Sequence, residues 1–159
     1  QAISTHIIRA SEKLRRQNQH AGAITVFTST SRFNPSFYSQ SATTQLEVPS
    51  NDTSILLEAS LPLTKQIFQP YRYLIKAGVI MQKLQGSDYL QTSLLSLYTP
   101  DELKRRQRLM NTIDQLNKRY GNGTISWAAC IQKAKWEMRR ELLSYARTTR
   151  IMQIPIVHS

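Results

Sequence analysis

A chain of 159 residues with 40% hydrophobic side chains is long enough for one domain, or a small domain with an appendage, each burying a modest core. Its 21 Lys and Arg against 10 Asp and Glu leave a net charge of +11, an excess that attracts phosphate backbones or anionic surfaces. The single cysteine, Cys130, excludes an internal disulfide, and no apolar run approaches the ~20 residues that span a bilayer, so a soluble intracellular protein is expected.

Ile3, Ile7, Ala10 and Leu14 recur at helical spacing and predict an amphipathic helix over about 2–17 that shows Arg9, Lys13, Arg15 and Arg16 to solvent. The period then falls to two. AITVFTSTS (23–31), TTQLEV (43–48) and YRYLIKAGVIM (71–81) read as three strands. Between the last two, Asn51-Asp52-Thr53-Ser54 supplies capping side chains for a helix over about 53–69, with Leu56, Ala59, Leu63 and Ile67 facing the core and Pro62 kinking or splitting it. This order predicts an α+β fold, a small and mostly antiparallel sheet with two helices on one face and the other face free.

From Gln82 to Pro100 the chain turns polar and reads as a linker. A third helix is expected over about 100–119, with Leu103, Leu109, Met110, Ile113 and Leu116 as its apolar positions, stopped by Gly121-Asn122-Gly123. A strand over Thr124 to Ala128 and a basic helix over about 132–143 follow, and Pro155 confines the apolar tail IMQIPIV (151–157) to an edge or an extended segment. The charge is uneven: residues 1–100 hold nine basic and five acidic side chains, and 101–159 hold twelve and five.

RASEKLRRQ (9–17), SQSATTQL (39–46), KAGV (76–79) and LMNTIDQLNKRYGNGTISWAACIQKAKWEMRRELLSYARTTR (109–150) stand in an order and spacing that resemble the C-terminal portion of the UmuC family. These are catalytic subunits of polymerase V, Y-family lesion-bypass DNA polymerases. The resemblance covers nearly the whole chain. It implies a little finger-like DNA-binding domain over 1–84, a linker over 85–102 and a UmuC-type, mainly helical C-terminal extension over 103–159. It further implies that the free sheet face sits in the major groove of primer-template DNA during error-prone translesion synthesis, the business of SOS mutagenesis and DNA repair. The β sliding clamp, the UmuD′ dimer and the recombinase filament are the implied protein partners, in a cytoplasmic, nucleoid-associated setting without a membrane. The fragment itself is expected to be non-catalytic and free of cofactors, with Mg²⁺ confined to an absent palm domain. The chain departs from the family pattern in two places. It starts at the first helix, where the family places a strand beforehand, which would leave a sheet edge unpaired. It also reads LSYARTTR where a Pro usually stands near Ser144.

The residues themselves agree that chemistry is elsewhere. Two-metal phosphoryl transfer needs clustered carboxylates, whereas the acidic residues here are scattered, and Asp52 and Asp101 suit helix caps or solvated faces. His6, His20, His158 and Cys130 share no metal-ligand spacing, Cys130 reads as a small buried hydrophobe, and no GxSxG turn places a nucleophile. DNA contact is the sharper reading. Arg72 and Lys76, four apart in the expected third strand, would share one face; Arg32 would lie at the rim, and Thr28 and Ser29 would add short donors to phosphate oxygens. The plain reading of these side chains is a solvated surface. Gln91-Thr92-Ser93-Leu94-Leu95 is similar to the clamp-binding peptide of bacterial polymerases, with Gln91, Leu94 and Leu95 as anchors, or else it anchors the linker on its own domain. Trp127, Trp136, Tyr120 and Tyr145 suit a core, a stacking platform or a protein interface. The alternative function is a basic protein-protein interaction module with no direct DNA contact.

Overall fold

The longest buried run among the described residues lies in the first strand, β1 (Gln19–Ser29), in which every residue from His20 to Val26 is buried. In the computed structural model, which describes residues 1–33, 35–86 and 99–130, β1 runs antiparallel to β2 (Ser39–Ser50) on one side and to β3 (Lys76–Gly86) on the other. Helices α1 (Ala2–Arg16) and α2 (Thr53–Ile67) pack on the sheet, which gives the expected α+β class. The strand pleat sorts the faces. Ile24 sits between Thr44 and Met81, and Val26 between Ala42 and Val79, so the even positions of β1 meet the helices. Ile7 and Leu14 of α1 and Leu56, Leu63 and Ile67 of α2 complete the core, each stabilising the fold by roughly 1.5–3 kcal/mol through burial.

Asp52 caps α2 by accepting the Ser54 amide at 2.8 Å. Pro62 does not split this helix. It lies on the exposed side with Glu58, the residue four positions back whose carbonyl an amide at 62 would have bonded.

β3 lies five residues beyond the expected 71–81 at both ends. Upstream, the Arg72 amide donates to the Gln69 carbonyl at 3.2 Å, closing a turn with Pro70 at its second position, where the ring presets φ. Sheet pairing starts only at Ile75, whose amide donates to the Ser29 carbonyl at 3.0 Å. Downstream, Gln82–Gly86 pairs with Gln19–Ala23, because an edge strand can hold its ladder with polar side chains and one wet face.

The third helix, α3 (Pro100–Tyr120), opens with a capping box: the Glu102 amide donates to the Thr99 hydroxyl and the Thr99 amide to the Glu102 carboxylate. It ends at Gly121, whose φ of 113° a side chain would resist. Of its expected apolar positions only Met110 is fully buried, and Leu109 faces solvent. The expected strand at Thr124–Ala128 is absent. The Asn117 side chain takes both backbone groups of Ile125, accepting its amide at 2.8 Å and donating to its carbonyl at 3.0 Å, so this residue has no ladder bond left to form. A single 3-10 turn, Ala128–Cys130, follows. Cys130 is only half-buried, with Sγ 3.6 Å from the Thr5 hydroxyl. The expected helix at 132–143, the tail, Trp136 and Tyr145 lie outside the described residues.

Burial also overturns the placement of Arg15 on a solvated face. Its side chain is 4% exposed and its guanidinium holds Asp114 of α3 through two bonds of 2.6 and 2.7 Å, while Nη1 donates to the Asn51 carbonyl and the Thr53 hydroxyl. Together with Arg106 on Asp52 at 3.3 Å and Trp127 Nε1 on the Ser54 hydroxyl at 3.4 Å, this seats α3 on the helical layer. Among the described residues no helix is long and apolar enough to cross a membrane.

Candidate nucleic-acid interface

The face of the sheet opposite the helices is built from the odd positions of β1 and their neighbours. Thr25 stands between Thr43 and Ile80, Phe27 between Ser41 and Gly78, and Ser29 between Ser39 and Lys76. Its side chains are mostly short and polar, and the Thr25 and Thr43 hydroxyls share a bond of 2.7 Å. Phe27 lies flat over Gly78, where an added Cβ would fall 2.5 Å from Cζ of the ring. Gly78 is thus what keeps this part of the face low. β1 and β3 carry no acidic residue and β2 carries one, Glu47.

The residues singled out from sequence are distributed differently from expectation. Ser29 is half-buried on this face and Lys76 is exposed beside it at the start of β3. Thr28 is not available to a phosphate: continuing the alternation of Ile24 and Val26, it faces the helices, 3% exposed with its hydroxyl unpartnered. Arg72 does not share a strand with Lys76. It sits in the turn before β3, its guanidinium 4.2 Å from the centre of the Tyr38 ring. Arg32 is exposed in the β1–β2 connection, so the two arginines and Lys76 gather at one end of the sheet rather than along one strand. Gln91, Leu94 and Leu95 lie outside the described residues. Tyr120 is exposed under Arg119, 5.3 Å from its ring centre, and so is not core.

Sequence reasoning passed over the exposed aromatics Phe33, Phe37, Tyr71 and Tyr73 at that same end. The signal was present: each lies within a few residues of an arginine and a proline in a segment with no carboxylate.

At the opposite end of β1, a cavity of about 410 Å³ separates α3 from the sheet, lined by Arg15, His20, Asn51, Asp52, Arg106 and Met110. Burial lowers the pKa of His20 from its ordinary 6.5, and its buried Nδ1 has no partner. The unfolded chain takes up this proton near 6.5 while the folded chain resists it. The stability that neutral His20 contributes is therefore complete above 6.5 and is lost as pH falls from there through the lowered folded value. Urea unfolding of the wild type at decreasing pH should show this decline, and His20→Gln should flatten it. Equal slopes in the two proteins would refute the assignment.

Two helices on one face of an antiparallel sheet whose other face is, among the described residues, uncovered and almost without acidic groups form a domain of the little finger class. Residues 1–94 match the family described as the impB/mucB/samB family C-terminal domain, and the chain belongs to that family. Residues 107–157 match a second family, described as a domain of unknown function (DUF4113). Among curated proteins the chain is similar to the protein ImpB of Salmonella typhimurium, 33% identical over 159 residues covering 98% of the chain. It is also similar to the protein UmuC of Salmonella typhimurium strain LT2, at 32% over 94% of the chain, and to the protein SamB of Salmonella typhimurium, at 34% over 98%. These alignments cover 37%, 36% and 36% of the relatives, so the chain spans little more than a third of their length. The chain thus comprises the little finger domain and C-terminal extension of the UmuC, ImpB, SamB and MucB family.

Proposed function

We propose that this chain is the non-catalytic DNA-gripping and partner-docking region of an error-prone translesion DNA polymerase, holding primer-template duplex against the free face of its sheet. The observation that carries this reading is the polar, nearly acid-free sheet face bordered at one end by Arg32, Arg72 and Lys76. Hydroxyls and cations at such a surface meet phosphate oxygens and leave base edges unread, which suits a polymerase that must accept any template. Nucleotide transfer and its Mg²⁺ belong, on this reading, to a palm domain outside these residues. Fluorescence anisotropy on primer-template DNA across a range of salt concentrations tests it. Binding that is tight at low salt and falls steeply with salt is expected; no binding at low salt would leave the chain as an interaction module without DNA.

The same reading assigns 91–95 to the β sliding clamp, with the Gln91 amide for hydrogen bonding and Leu94 and Leu95 as apolar anchors, and assigns the extension to the UmuD′ dimer and the recombinase filament. What supports the clamp peptide is its wording and its place after β3. Gln91→Ala with Leu94→Ala should abolish retention of the clamp in a pull-down, and undiminished retention would remove the peptide from the account.

A further inference from the structure

The end of the sheet that carries Arg32, Arg72 and Lys76 also carries aromatic rings that none of the described residues covers. Phe33 is 98% exposed, Tyr71 99% and Tyr73 87%. Rings so open are costly to present to water, and an apolar patch rimmed by polar groups marks a surface that meets something else.

The bases of both loops are tied to the sheet. The β1–β2 connection is closed by the Thr30 amide donating to the Tyr38 carbonyl and the Tyr38 amide donating to the Thr30 hydroxyl, each at 2.9 Å. The segment before β3 is fixed by the turn at Pro70 and by the Ile75 bond to Ser29. Arg72 joins the two loops by stacking on Tyr38 at 4.2 Å, and Tyr71 and Tyr73 on either side of it are uncovered among the described residues. The rings thus stand close to backbone that is tied to the sheet at Thr30, Tyr38 and Ile75.

Charge decides the ligand. Residues 30–38 and 68–77 hold three cations and no carboxylate, so the occupant is anionic, and the rings require flat apolar faces from it. Duplex DNA offers the charge but keeps its base faces stacked inside. Single-stranded nucleic acid offers both. We infer that this aromatic and basic end of the sheet is a stacking site for unpaired bases, engaging the single-stranded part of a primer-template beside the duplex. The inference rests on the proposed DNA-binding role and adds a second contact to it.

The test compares the full chain on a blunt duplex and on the same duplex carrying an overhang of about eight nucleotides, within the site size of single-strand binders. The overhang should raise affinity by at least about ten-fold, a modest return for stacking one base on an aromatic ring. Phe33→Ala with Tyr71→Ala and Tyr73→Ala should erase that increment and leave blunt-duplex affinity unchanged. Tyr71→Phe with Tyr73→Phe should preserve it, since the ring and not the hydroxyl makes the contact. The three side chains support no core, so circular dichroism should be unaltered. Equal affinity for the two DNAs, or an increment that survives the triple alanine variant, overturns the stacking site while leaving duplex binding intact. Failure to bind either DNA overturns both readings, and assigns the rings to a protein partner.

Discussion

Replacing Arg15 with alanine is expected to cost about 3 kcal/mol of unfolding free energy, the low end for removing one partner of a buried ion pair. The substitution orphans the Asn51 carbonyl, removes one bond from the Thr53 hydroxyl, which keeps its 2.7 Å bond with Ser11, and strips Asp114 of both its bonds to Arg15, at 2.6 and 2.7 Å. Asp114 remains 26% exposed and can be rehydrated, which is why the low end applies. Because Asp114 belongs to α3, the loss should also loosen that helix. Trypsin should then cut faster at Lys104, Arg105 and Arg108, three exposed sites on α3. Urea denaturation and limited proteolysis report the two effects separately. A paired change, Arg15→Met with Asp114→Leu, should recover much of the stability, since two apolar side chains leave no charge behind. Unaltered stability in Arg15→Ala would mean that α3 is held by packing at Met110 and not by this pair.

The second large effect is electrostatic. If Arg32, Arg72 and Lys76 each neutralise one phosphate, replacing all three with alanine should reduce the slope of log affinity against log salt by about 2.7, at roughly 0.9 per contact. Between 50 and 200 mM salt this corresponds to about 40-fold of salt-dependent affinity that the wild type loses and the variant no longer has to lose. At low salt the variant should bind correspondingly more weakly. The effect should be independent of sequence, because cations at a sheet rim contact phosphates and no base edge. An unchanged slope would remove these residues from the interface. Arg72 carries the additional consequence that its loss uncovers Tyr38, so Arg72→Lys, which keeps the charge but stacks poorly, separates the two roles.

The elements were legible wherever a local period governed them. α1, the first two strands and the cap of α2 follow from the spacing of Ile3, Ile7 and Leu14, the alternation of Ile24 and Val26, and Asp52 before Ser54. The misplacements share a cause. Tyr71–Ile75 is as rich in β-forming side chains as any strand, but the Pro70 turn and the length of β1 determine where pairing begins. Thr124–Ala128 has the composition of a strand, and a side chain seven residues upstream of Thr124 took the backbone groups of Ile125 that a strand would have used. Arg15 could have been found, since Ile7, Ser11 and Arg15 recur every four residues along one helix face. Its partner, 99 residues away, could not.

What the sequence by itself determined is the class: two amphipathic helices, alternating strands, a strong basic excess and family wording over nearly the whole chain. These are properties of short segments and of totals, which need no knowledge of neighbours. Only the tertiary structure decided which cations are free and which are spent. It drew Arg15 inward to Asp114, turned Thr28 toward the helices, and brought Arg32, Arg72, Lys76 and the open rings of Phe33, Tyr71 and Tyr73 to one end of the sheet. The physical reason is that strand register and loop closure are long-range facts: a one-residue change of register moves a side chain to the other face, and no local pattern records which loop will lie beside which.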